Sequence, residues 1–260
     1  MSWEQWQVPL LIMAVTMPRM IFAFLVVPFL SPAIFPAPAR NAMAFSLATL
    51  LYPVVQAQMP GQFFGHLEIL LIVLKEAFIG LILGYMLSLF FWAAQSIGFF
   101  IDTQRGATMA GSLLPQFGGQ VSPLGGFFSQ ALVVIFFLSG GMGMFLSTIY
   151  QSYQFWPVFS FYPRLDSRAV PFFLAQLDFL MSLIVFLSAP IVLAMFLLDL
   201  VMGVISRFVP SLNVFFLAMP VKSGLAVFML IFYISLMMDY FRDRALDFGA
   251  FFDTVKPWLE

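Results

Sequence analysis

Few residues in this chain have types and spacing that could do chemistry. The densest group is Asp102-Thr103-Gln104-Arg105. It places an acid, an amide and a base on one turn; Asp102 and Arg105, three apart, can neutralise one another, while Gln104 supplies both a donor and an acceptor. Asp199, Gly203 and Arg207 recur at intervals of four, so their two charges share a helix face with a small residue between them. Lys75-Glu76 and Lys222 interrupt otherwise apolar runs. Charges at such positions need compensation from an opposing helix, and charge within a membrane segment points to function by default. His66, the sole histidine, lacks the second ligand at helical spacing that a zinc helix requires. No Gly-x-Ser-x-Gly elbow or phosphate-binding loop is present, so hydrolase and nucleotide-driven activities have no visible chemistry, and no metal or cofactor is expected.

The polar turn feeds into an unusual connection. Gly106 to Gly111 have small side chains apart from Met109, which favours tight packing over an open loop. From Met109 to Pro123, apolar Leu113, Leu114 and Phe117 alternate with Pro115, Gly118 and Gly119. Such a segment lies at membrane depth only when buried in protein or lining a cavity. Pore plugs share this character, a deformable backbone with apolar side chains that exclude water and ions. An ordinary extracytoplasmic loop is the competing reading, and composition alone does not decide between them.

The elements that must position these groups are apolar helices. The chain is 62% hydrophobic and 9% charged, with a mean hydropathy of +1.01, whereas soluble domains carry roughly a quarter charged residues. A net charge of -1 excludes a broad electrostatic case for nucleic acid. The absence of cysteine removes disulfides and thiolate chemistry and leaves the redox compartment open. The N-terminus carries Glu4 and no base ahead of its apolar run, unlike a cleavable signal peptide, so the first segment is expected to stay attached.

Hydropathic segments fall at 8–30, 41–56, 67–101, 124–155, 172–205 and 214–238 within one membrane domain, 1–238. The first is broken by Pro18, Arg19 and Pro28, and Arg19 must be paired or face protein. Residues 77–101 alone suffice to cross a bilayer, which takes about 20 residues. Within them Gly80 and Gly84 form a small-xxx-small pair that lets another helix approach closely, a theme Gly98 continues. Gly140-Gly141-Met142-Gly143 marks either a hairpin or a loosened helix. Residues 239–260 are charged, with Phe241, Ala245, Phe248, Phe252 and Val255 on one stripe, an amphipathic tail suited to a membrane surface or a partner. The charges at segment boundaries are too mixed for the positive-inside rule to orient the chain. The reading is all-α, helical hairpins with broken helices.

Several of these motifs together resemble a known family. Lys75-Glu76-x-x-Ile79-Gly80-x-x-x-Gly84, Gly98 to Gly106, Asp199-x-x-x-Gly203-x-x-x-Arg207-x-x-Pro210-x-x-Asn213-x-Phe215 and Met219-Pro220-Val221-Lys222-Ser223-Gly224 are similar to the type III secretion export-gate subunits of the SctT/FliR family. Pro28, Ser31, Pro32, Pro36 and Arg40 extend the match toward the N-terminus. The resemblance implies a bacterial inner-membrane, multi-pass subunit, one copy of which assembles with SctR-like and SctS-like subunits into a helical spiral displaced toward the periplasm. It implies SctU-like and SctV-like neighbours and unfolded protein substrates, with neighbouring subunits replacing much of the lipid. It also places the pore plug in the 109–123 connection, and the intact Gln-Arg-Gly and Lys-Ser-Gly runs look more like injectisomes than flagella. The expected function is a non-enzymatic export-gate component. A secondary transporter of a small solute is the alternative, since broken helices with buried Asp and Arg also suit solute sites; an intramembrane hydrolase lacks a nucleophile and base.

Overall fold

The computed structural model describes residues 4–31, 34–60, 65–107, 122–160, 169–209 and 213–246. Among the described residues the chain is helical and has no strand. In order, the helices are α1 (Glu4–Val26), a single 3-10 turn (Pro28–Leu30), α2 (Ala37–Leu50), α3 (Tyr52–Ala57), α4 (His66–Gln104), α5 (Pro123–Leu138), α6 (Gly141–Phe155), α7 (Ala169–Phe208) and α8 (Val214–Leu246). By length and composition α1, α4, α7 and α8 could each cross a membrane, and the broken pair α5 and α6 could form one further span.

Proline and glycine place most of the breaks. Pro28 opens the 3-10 turn, and α2 and α3 each carry proline at their first or second position, where the missing amide would have had no helical acceptor. The hydropathic segment at 41–56 is therefore two helices. Segment 124–155 is also two, parted at Ser139–Gly140, where Gly140 takes a φ of 76°. A residue with a Cβ is disfavoured in that left-handed region. Pro18 does not end α1, which runs unbroken from Glu4 to Val26. Nor does α8 end where the composition turns charged, since it continues to Leu246 with Phe241 fully buried.

The chain divides into two compact units. One comprises residues 1–89, 140–173 and 246–260, and the other residues 90–139 and 174–245. In the first, α1 packs on α2 and α3, and its core includes Ile12, Val15, Phe24, Ile79, Phe145 and Tyr153. In the second, Phe91, Phe128, Leu132, Leu187, Ile191, Met195 and Met237 are buried. There Phe91 meets Phe136 edge-on at 5.5 Å, a favoured geometry for two quadrupoles. α8 docks by a stripe, Ala218, Ala226, Leu230, Met237 and Phe241, and leaves Phe216, Val227, Phe228, Ile231 and Phe232 outward.

Candidate functional site

In the first unit a bare glycine face lets two helices meet. A Cβ at Gly80 would lie 2.2 Å from the carbonyl oxygen of Arg19, and one at Gly84 would lie 2.3 Å from that of Ala23. α4 therefore meets the backbone of α1 directly at both positions of the small-xxx-small pair. That approach brings Arg19 to Glu76, one helical turn before Gly80. Arg19 Nε and Nη2 donate to the two Glu76 oxygens at 2.7 and 2.9 Å, and both side chains are fully buried. The remaining guanidinium donors reach Ser152 Oγ at 2.8 Å and the Trp156 carbonyl at 2.9 Å. The guanidinium also lies 4.0 Å from the centre of the Tyr153 ring, whose hydroxyl donates to the Thr16 carbonyl at 2.8 Å.

Lys75 completes this cluster. Its ammonium is ion-paired with Glu76 at 2.9 Å and donates to the carbonyls of Pro157, Val158 and Ser160 at 3.0, 2.7 and 3.0 Å. A strongly hydrated point charge is thereby resolvated by backbone oxygens of the turn that follows α6. Lys75 and Glu76 thus find partners on elements distant in sequence. The sequence marked Arg19 as needing a partner, but periodicity carries no information about which acid supplies it.

The second unit gathers three separate motifs around the end of α4. Asp102, Thr103, Gln104, Arg105, Gly106 and Ala107 form a Schellman C-terminus. The Ala107 amide donates to the Asp102 carbonyl at 2.9 Å and the Gly106 amide to the Thr103 carbonyl at 3.1 Å, with Gly106 at a φ of 82°. The glycine of the Gln-Arg-Gly run is thus a conformational requirement of the turn. Met219 of α8 lies beside it, so that even a Cβ there would stand 3.4 Å from the Met219 side chain.

The carboxylate of Asp102 is fully buried. One oxygen accepts from Arg105 Nε and Nη2, both at 2.7 Å. The other accepts from Ser122 Oγ at 2.7 Å and from the Leu124 amide at 2.9 Å. Ser122 in turn caps α5 by accepting the Gly125 amide at 2.9 Å. Gly98 packs backbone to backbone on the same helix start, where a Cβ would lie 2.3 Å from the Gly125 nitrogen. Sequence reasoning missed Ser122 and Leu124, although Ser122-Pro123 carries the ordinary signal of an N-cap followed by proline at the first helical position.

Beside this turn Lys222 is ion-paired with Asp199, and Gln104 Nε2 reaches the other Asp199 oxygen at 3.4 Å. Lys222 also approaches the Gln104 carbonyl at 3.4 Å, adding positive charge at the end of α4 where the helix dipole favours it. Thr103, Gln104, Gly106, Asp199, Met219 and Lys222 share in lining a cleft of about 410 Å³. The Asp199 motif and the Lys222 motif therefore meet the Asp102–Gly106 motif in space. Arg207 does not join them, being exposed with no ion pair among the described residues. Met109, Leu113, Leu114, Pro115, Phe117, Gly118 and Gly119 lie outside the described residues. So do Pro210 and the tail beyond Leu246.

Among the described residues no cluster of His, Cys, Asp or Glu could hold a metal. Each buried carboxylate at this site is matched by bases and hydrogen-bond donors, an arrangement that positions helices. Long apolar helices joined by buried, internally neutralised charge define a multi-pass α-helical membrane protein. The family model for bacterial export proteins, family 1, matches residues 10–247. The chain belongs to that family, and with it has a role in bacterial protein export. It is 40% identical over 235 residues to Yop proteins translocation protein T of Yersinia pestis, spanning 90% of each chain. It is 35% identical over 207 residues to surface presentation of antigens protein SpaR of Shigella sonnei, covering 80% of this chain and 78% of the relative. To flagellar biosynthetic protein FliR of Bacillus subtilis it is 33% identical over 222 residues, 85% of each. The SctT/FliR resemblance therefore holds, and the 40% match favours the injectisome type over the flagellar.

Proposed function

We propose that this chain is the SctT-type, non-enzymatic gate subunit of a type III secretion export apparatus in the bacterial inner membrane. It helps form, and by the 109–123 connection helps close, the pore through which unfolded proteins leave. In this reading it assembles as one copy with SctR-like and SctS-like subunits beside SctU-like and SctV-like components, in a spiral displaced toward the periplasm.

The observation that carries the reading is the convergence of the Asp102–Gly106, Asp199 and Lys222 motifs at the root of that connection. Residues far apart in sequence meet where the glycine- and proline-rich stretch 109–123 begins. Deleting residues 116–120 is expected to raise ion leakage through assembled complexes while leaving assembly with the companion subunits intact. Unchanged leakage would remove the plug role.

The cleft beside Lys222 favours the second reading, transport of a small solute, because its walls combine an ion pair with apolar side chains. Solute-dependent stabilisation of the isolated chain would support that reading. Co-purification with two small helical membrane proteins supports the gate.

A further inference from the structure

Of the charged residues buried among those described, Arg19, Glu76 and Asp102 lie in ion pairs and Arg40 does not. Arg40 is 6% exposed, yet its Nε has no acceptor, and Nη1 reaches only the Leu30 carbonyl, at 3.4 Å. Arg19, by contrast, meets a carboxylate, a hydroxyl and a carbonyl at 2.7–2.9 Å. No acid occurs between Glu4 and Glu68. A buried guanidinium held by one long hydrogen bond carries a desolvation cost that its described surroundings do not offset.

The start of α2 is short of acceptors in the same way. Its N-cap is Pro36, which offers no side-chain acceptor, and Pro38 sits in the first turn. Two of the four amides that a helix start leaves unpaired are therefore missing, and those of Ala37 and Ala39 remain, on exposed residues. Helical side chains lean toward the N-terminus of their helix, and the Leu30 carbonyl that Arg40 touches belongs to the 3-10 turn preceding α2. The guanidinium is thus directed at that same end of α2. Two amides, the positive end of a helix dipole and an arginine fork converge there, which is the chemistry of an oxyanion site.

The kind of oxyanion follows from the position. α1 is long and apolar enough to cross a bilayer over Gln7–Val26, so the turn just past it falls at the level of the lipid headgroups. Leu25, Ile34 and Phe45 are exposed on the segments before and after that turn and give acyl chains an apolar surface. We propose that Arg40 and the first turn of α2 bind the phosphate of an anionic membrane phospholipid, whose net negative headgroup matches an arginine that lacks an acid. The long bond to Leu30 is weak enough for the guanidinium to leave it and turn its Nε edge to the phosphate. A lipid retained between neighbouring subunits would serve as well as the open bilayer.

Thermal unfolding of the purified chain in neutral detergent, followed by tryptophan fluorescence, tests the site. Phosphatidylglycerol near saturation is expected to raise the midpoint by about 5 °C, phosphatidylcholine by less, and inorganic phosphate not at all. Arg40→Gln should abolish the rise, and Arg40→Lys, which keeps the charge and loses the fork, should weaken it. Without lipid, Arg40→Gln should unfold at or above the wild-type temperature, because the charge it removes has no partner. A fall as large as that for Glu76→Gln would place the partner inside the chain and overturn the proposal. So would an equal rise in wild type and Arg40→Gln, or a full rise with inorganic phosphate alone. If phosphatidylglycerol has no effect and Arg40 is instead required for assembly with companion subunits, the acceptor is a partner's carboxylate and the lipid assignment fails.

Discussion

Replacing Gly80 with alanine tests the contact on which the first unit is built. The new methyl carbon would stand 2.2 Å from the Arg19 carbonyl oxygen, where a carbon–oxygen contact needs about 3.3 Å. The obstacle is backbone, so a rotamer change cannot relieve it, and α1 must move off α4 by roughly 1 Å, the difference between those distances. Overpacking of this kind costs about 1–3 kcal/mol. The same displacement stretches the Arg19–Glu76 bonds from 2.7 and 2.9 Å toward the limit at which a hydrogen bond is lost. Breaking a fully buried pair outright costs about 3–5 kcal/mol. With partial relaxation, Gly80→Ala is expected to destabilise by about 3 kcal/mol, most of it shared with the ion pair.

A double-mutant cycle in detergent, following tryptophan fluorescence on denaturation, measures that sharing. Glu76→Gln alone should cost about 3 kcal/mol or more, because it leaves a buried guanidinium without its carboxylate. Gly80→Ala added to it should cost clearly less than Gly80→Ala alone. Gly143, which has open space around its Cβ position, is the control and should accept alanine within about 1 kcal/mol. Additivity of Gly80→Ala and Glu76→Gln within about 0.5 kcal/mol would refute the coupling. A Gly80→Ala chain as stable as Gly143→Ala would refute the contact itself.

Two further substitutions separate conformation from charge at the end of α4. Gly106→Ala should destabilise by about 1–2 kcal/mol, because an L-residue must enter the left-handed region at a φ of 82°; Gly106→Asn should recover part of the loss, and equal stability of all three would argue against the Schellman turn. Lys222→Met should cost less than about 1 kcal/mol in the same unfolding assay, since the Asp199 side chain is 36% exposed and solvent screens the pair. A loss as large as that for Glu76→Gln would mean that Lys222 is desolvated in the protein.

The residue types needed for the site were readable, but their partners were not. Charge inside an apolar run announces that a counter-charge exists, as at Arg19 and Asp199. Which residue answers depends on helix packing, which a sequence period of 3.6 does not encode. Thus Arg207, at helical spacing from Asp199, stands exposed, whereas Lys222 from the next helix takes the pairing. The sequence reading asks for compensation from an opposing helix, and at Asp199 the next helix supplies it, because a shared face only brings two side chains near one another. An ion pair also requires that face to be covered. Gly80, Gly84 and Gly98 were more legible because a missing side chain has few uses on an apolar helix, and all three prove to be points of backbone contact. Breaks at proline were readable where proline opens a helix and misleading at Pro18, inside α1. The proline there removes one amide, and the surrounding turns of α1 remain packed on α2 and α3.

Both charge clusters draw on α4, and both are closed upon themselves. Glu76 is claimed by Arg19 and Lys75 in the first unit, and Asp102 by Arg105, Ser122 and the Leu124 amide in the second. Between them the helix carries no charge from Ala77 to Ile101. A charge that anchored the helix among headgroups would face water or lipid phosphate, yet the Glu76 and Asp102 side chains are fully buried. The outward surfaces are instead dominated by apolar residues such as Phe186, Phe196, Leu197, Phe228 and Phe232. Polar groups thus set the internal geometry of each unit, and apolar surface is left for contact with whatever surrounds it. For a membrane protein with a role in export, that division keeps the buried ion pairs apart from whatever covers the apolar surface.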